Sequence, residues 1–116
     1  MAWTTPKLNW TAQDYFNHAD LSKIESNVKA VHDLMESKGV LVAIEGGIYS
    51  RNIWWVPFKE EFVRVESNLE ALRQPFTPTG WRSRELPWTA DQAFSYLELN
   101  RWESNLNALW KYYSSM

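Results

Sequence analysis

The chain has no cysteine among its 116 residues, which excludes disulfide frameworks, thiol nucleophiles and Cys-ligated metals. Glycine occurs only four times, and its one tandem pair, Gly46-Gly47, reads as a turn and not as a phosphate-cradling loop. No apolar run approaches the ~20 residues of a membrane span. Residues Met1 to Lys7 lack the basic-then-apolar layout of a signal peptide, so a cytoplasmic origin is expected, and export would need another route. Charge of one sign is also missing. Twelve Lys and Arg stand against fourteen Asp and Glu, interspersed, for a net charge of −2. With no basic stripe to neutralise a phosphate backbone, nucleic acid is not an expected ligand.

Tryptophan, by contrast, is abundant, with eight residues. Each buried indole removes ~150–250 Å² from water, so a few of them can dominate a core. The apolar share of 45% is that of a folded protein, and the length suits one domain over residues 1–116.

A heptapeptide occurs three times: Glu25-Ser26-Asn27-Val28-Lys29-Ala30-Val31, Glu66-Ser67-Asn68-Leu69-Glu70-Ala71-Leu72 and Glu103-Ser104-Asn105-Leu106-Asn107-Ala108-Leu109. Internal repetition marks one structural unit used three times, which suits a scaffold better than an enzyme. Leu8–Leu34 aligns with Leu86–Tyr112 without a gap, matching Trp10 to Trp88, Phe16 to Phe94 and Lys23 to Arg101. The units read as about 8–38, 54–74 and 86–114, the middle one keeping only its second half. Apolar residues recur at Leu21, Ile24, Val28, Val31; at Phe62, Val65, Leu69, Leu72; and at Leu99, Trp102, Leu106, Leu109. That 3-4-3 stripe predicts an amphipathic helix in each unit.

Thr11 with Asp14, and Thr89 with Gln92, predict helix starts and hence short leading helices on the first and third units. Asn17–Asp20 is a further break, with a longer helix capped near Asp20. Pro57 suits a first turn, and Gly39 and Pro75 suit stops. The fold class is therefore mainly α, a three-helix bundle of related repeats. A short β-hairpin around Gly46-Gly47, or an irregular loop, joins the first to the second.

Candidate chemistry is sparse. Asp14 with His18, and His32 with Glu36, are single imidazole–carboxylate pairs, and a metal wants at least three convergent ligands. The serines have no dedicated base or Gly-rich elbow. No catalytic residue, metal or cofactor is expected. Flanking the stripes, Glu25, Asn27, Glu66, Asn68, Glu103 and Asn105 repeat one polar contact three times. Its target is either backbone within the chain or another subunit. Trp54, Trp55, Trp81 and Trp110 lie outside the matched pattern and are the aromatic candidates for partner contact.

Pro6-Lys7-Leu8-Asn9-Trp10, Asp14-Tyr15-Phe16-Asn17 and Asp20-Leu21-Ser22-Lys23-Ile24-Glu25-Ser26-Asn27-Val28 together resemble a pattern of tail-module proteins from phages and prophages of Gram-positive bacteria. There a Pro-Lys-x-Asx-Trp segment precedes a helix reading roughly Asp-Leu-Asn-Arg-Ile-Glu-x-Asn-Ile. Leu99–Leu106 and Val63–Leu69 are further versions of that helix, with Ser22 in place of the usual Asn and Trp102 in place of the usual Ile. The resemblance implies a structural tail or tail-tip protein that acts by protein–protein contact. On that reading it is a homo-oligomer, with other tail proteins as partners, and passes from host cytoplasm to virion. A carbohydrate-binding adsorption module using exposed tryptophans and a small cytoplasmic adaptor or assembly factor are the alternatives.

Overall fold

The computed structural model describes residues 3–11, 13–14, 16–51, 59–84 and 96–116. Trp54, Trp55, Pro57, Trp88 and the Thr89–Gln92 pattern lie outside the described residues. Among the described residues there are three helices: α1 (His18–Ser37), α2 (Lys59–Leu72) and α3 (Tyr96–Ser114). The chain is thus mainly α, and no described helix is long and apolar enough to cross a membrane.

Local chemistry sets the ends of α1. The Asn17 side chain accepts from the backbone N–H groups of Ala19 and Asp20, and the Asp20 carboxylate accepts from the Asn17 N–H, closing a capping box. At Thr11 the Asp14 carboxylate likewise accepts from the Thr11 N–H, but Asp14 N–H donates to the Thr11 carbonyl and the Thr11 hydroxyl accepts from Gln13 N–H, closing a turn that no described helix continues. Among the described residues before α1 the leading helix expected on the first unit does not occur, because the apolar stripe begins only at Leu21. At the other end Gly39 adopts φ 83°, with Gly39 N–H bonded to Glu36 O and Val40 N–H to Met35 O. That is a Schellman stop, and only glycine adopts such a φ without strain.

Eleven of the twelve expected stripe residues are at most 3% exposed, and Phe62 packs partly buried against them. Met35 and Tyr113 extend the core by one turn. Trp102 is wholly buried, with Ile24 and Val65 at the equivalent positions of the other helices. One large indole thus shares a level with two β-branched side chains.

The three helices are parallel. Their N-terminal halves meet through Glu25 with Arg64, Glu66 with Arg101 and Glu103 with Lys23. Their C-terminal ends meet too: Lys38 Nζ donates to Met116 O at 3.0 Å, and Phe76 stacks on Tyr112 at 3.9 Å. Parallel neighbours oblige the chain to return along the bundle between helices. A 20-residue helix is ~30 Å long and needs at least ~9 residues of return path. Residues 38–58 and 73–95 supply it.

The return paths, and the segment before α1, are non-helical arms lying between helices: residues 3–10, 44–51 and, over its described part, 81–84. No strand occurs among the described residues, so the optional hairpin at Gly46-Gly47 gives way to an arm. Its backbone N–H groups at Glu45 and Ile48 bond to side chains of α2 and α1, not to a neighbouring strand.

Leu106→Ala removes a side chain with no exposed surface from the middle of the axis. It is expected to lower the unfolding free energy by about 2–5 kcal/mol, read from urea denaturation.

Candidate functional site

Asn27, Asn68 and Asn105 each grip one backbone position with both ends of the amide. Thr4 N–H donates to Asn27 Oδ1 at 3.0 Å, and Asn27 Nδ2 donates to Thr4 O at 2.8 Å. Asn68 does the same to Glu45, at 2.8 and 3.0 Å. Asn105 does the same to Arg82, at 3.1 and 2.8 Å. In every case the gripped residue lies 23 positions upstream. The repeated unit is therefore larger than the sequence match: it is an arm followed by a helix, present three times.

The glutamates link one unit to the next. Glu25 of α1 accepts from Arg64 of α2, with Nε to Oε2 at 2.8 Å. Glu66 of α2 accepts from Arg101 of α3 through both terminal guanidinium nitrogens. Glu103 of α3 accepts from Lys23 of α1 at 2.8 Å, which closes the cycle. In each helix the cation stands two residues before the glutamate, so a single arrangement is repeated around a pseudo-threefold axis. Hydrogen bonds to Glu25 hold the Arg64 pKa above its ordinary value. Burial pulls that of Arg101 down to about 10, which still leaves it charged at neutral pH opposite Glu66.

The arms complete the ring. Lys7 N–H donates to Glu103 and Ile48 N–H to Glu25, equivalent bonds from two arms. Trp10 Nε1–H donates to Glu103, and at the equivalent place in the second arm Arg51 donates to Glu25. Arg51 is also held by Glu61, Ser22 Oγ and Ile48 O. Trp102 Nε1–H donates to Glu66 at 2.7 Å, and Asn100 grips the backbone of Trp10 through both N–H and C=O. Gly47 lies so close to the Glu25 carboxylate that a Cβ there would collide with it.

All six Glu and Asn candidates therefore lie inside the bundle, at most 9% exposed. Their threefold contact is made within the chain, to arms and neighbouring helices. Among the aromatic candidates, Trp81 immediately precedes the gripped Arg82, as Trp3 precedes Thr4. It thus belongs to the repeat, as an arm residue. Trp110 stacks on Trp3 with centroids 4.4 Å apart and planes parallel to 1°. The sequence reading missed Lys23, Arg64 and Arg101 as ring cations, although a base two residues before each Glu was there to see. It also missed Thr4, Glu45 and Arg82, whose unlike side chains carry no signal because only their backbone is held.

Elsewhere, His32 Nδ1 is 3.0 Å from Asp33 Oδ1, so the carboxylate it meets is that of Asp33, next in sequence, rather than that of Glu36 one turn on. No group of three or more His, Cys, Asp or Glu suited to a metal occurs among the described residues. Compared with protein-family models, curated proteins and solved structures, the chain matches none.

Replacing Asn27, Asn68 or Asn105 singly by Ala strands a backbone N–H and C=O and is expected to cost about 1–3 kcal/mol at each site. Similar losses in urea at all three positions would bear out the threefold equivalence; a loss at one alone would refute it.

Carboxylates at the rim contribute to acid sensitivity. Partial burial raises the Glu70 pKa, but bonds from Ser83 and Arg73 outweigh it and leave the group lowered from 4.5. The His32 contact lowers Asp33 from 3.8. Stability from such groups is present above the unfolded values and is lost as pH falls through the lowered folded ones. Glu70→Gln is therefore expected to flatten the fall in urea midpoint between about pH 5 and pH 3, with little change in its slope above pH 6.

Proposed function

We propose that this chain is a structural protein of a phage tail or tail tip, acting by protein–protein contact as the single-chain equivalent of a trimer. The observation that carries this reading is the closed cycle of Glu25–Arg64, Glu66–Arg101 and Glu103–Lys23. Three parallel arm–helix units around one axis present three related faces, which suits a partner that is itself threefold. The tail setting rests on the resemblance of the Pro6–Trp10 segment and the three Glu-x-Asn helices to phage tail modules.

Contact falls to side chains that the ring does not consume. At the end of the bundle where the helices finish, Phe76, Tyr112 and Met116 are 36–60% exposed. Trp81 and Trp110, partly covered, flank the arms on the same half. The chain supplies internally what three copies would supply by self-association. One copy per threefold axis is then the stoichiometry, with other tail proteins as the partners. The protein passes from host cytoplasm into the virion.

The test is cross-linking of gradient-purified particles with quantitative peptide mass spectrometry. This chain is expected at one copy for every three of the tail protein to which it cross-links. Absence from particles, or an equimolar ratio to that neighbour, would overturn the proposal.

A further inference from the structure

Among the described residues, the threefold equivalence fails over α1, and there the surface is hollow. An open cleft of about 450 Å³ lies over the outer face of α1, between the first and second arms. Two independent departures from the repeat create it. On the helix, Ala19 and Ser22 stand where α2 has Glu60 and Val63 and α3 has Leu97 and Asn100. On the second arm, Arg51 stands where the first has Trp10, and Tyr49 stands where the first has Leu8. The ring itself is unaffected, because Arg51 still donates to Glu25 as Trp10 does to Glu103.

The chemistry of the walls selects the ligand. Thr4, Ser22, Ser26, Ser50 and Tyr49, all hydroxyl side chains, line the cleft; Ser22 Oγ already accepts from Arg51 and Tyr49 Oη from Gly47 N–H, and both keep a hydroxyl proton to donate. His18 adds an imidazole. The two cations in the walls are already committed, Lys23 to Glu103 and Arg51 to Glu25 and Glu61. No uncommitted positive charge is therefore supplied by them for a phosphate or carboxylate. The Tyr49 ring, 37% exposed, offers a flat apolar surface beside the hydroxyls. A volume at the lower end of the range for ligand sites, lined by hydroxyls and one aromatic face, fits a small neutral molecule with hydroxyls on its edge and C–H groups on its face.

We infer that this cleft is a binding site for a neutral pyranose sugar, held by the hydroxyls of Ser22, Ser26 and Ser50 and packed on Tyr49. The inference stands apart from the tail-protein reading, since it uses none of the resemblance and none of the threefold contact. A shallow open site of this kind binds in the millimolar range.

The full chain, labelled with ¹⁵N, is titrated with the methyl glycosides of glucose, galactose and N-acetylglucosamine to about 50 mM. Glycerol and inorganic phosphate serve as comparisons. Saturable amide shifts confined to residues around Ser22, Ser26 and Tyr49–Arg51 with at least one glycoside are expected. Ala19→Leu with Ser22→Asn installs the residues α3 carries at the same positions, and Tyr49→Leu installs the first arm's residue. Each is expected to weaken that binding by about ten-fold or more while leaving shifts elsewhere unchanged. No saturable shift with any glycoside, equal response to glycerol, response to phosphate alone, or binding retained in both folded variants would overturn the site. The wild-type titration decides the matter even if a variant fails to fold.

Discussion

Three carboxylates inside a bundle of three helices are the constraint on which this structure turns. Glu103 has no exposed surface and Glu25 has 2%. An ionised carboxylate without partners in such a place costs several kcal/mol, more than one buried leucine returns. Each glutamate must therefore meet a cation and N–H donors from outside its own helix. No helix here can satisfy its own: the cation two residues upstream faces the wrong neighbour. Stability is thereby shared around the cycle, and truncating any one member exposes its partner to the full desolvation penalty. The apolar stripes supply most of the driving force for association. The ring decides which face meets which, and that all three helices point the same way.

Parallel orientation in turn dictates the arms. Antiparallel helices are joined by loops of a few residues, whereas these connections run to about twenty. A returning segment laid against the helices carries polar backbone that needs partners where it is partly covered. The three asparagines provide them with a side chain that offers a donor and an acceptor at the spacing of a peptide unit. Because Asn27, Asn68 and Asn105 read backbone, the gripped residues are free to differ, and they are Thr, Glu and Arg.

The helices were legible in the sequence because their signals are periodic: the 3-4-3 stripes, the Gly39 stop and the thrice-repeated Glu-Ser-Asn. The bundle followed from those. The arms were not legible, for a physical reason. Contacts made to main chain leave no imprint on side-chain identity, so Thr4, Glu45 and Arg82 share nothing a comparison of letters can find. Arg51 hid the middle unit's arm in the same way, since a guanidinium and an indole N–H present the same kind of donor to a carboxylate while looking unrelated. Two overlooked signals were present: the base two residues before each glutamate, and connectors too long for antiparallel neighbours. Gly46-Gly47 misled in the opposite direction. Its glycines read as a turn, yet Gly47 serves the close approach of Glu25.

Three free units held by this ring would fall apart on dilution, because their association would depend on the cube of concentration. Joined by residues 38–58 and 73–95, the same contacts form within one molecule, at an effective concentration fixed by the connectors. Dilution therefore leaves the assembly intact, and folding and trimer formation become one unimolecular event. Such a chain can occupy a unique position in a large particle where only a few copies are ever made. Its threefold character is then a property of the gene product, present in the first molecule synthesised.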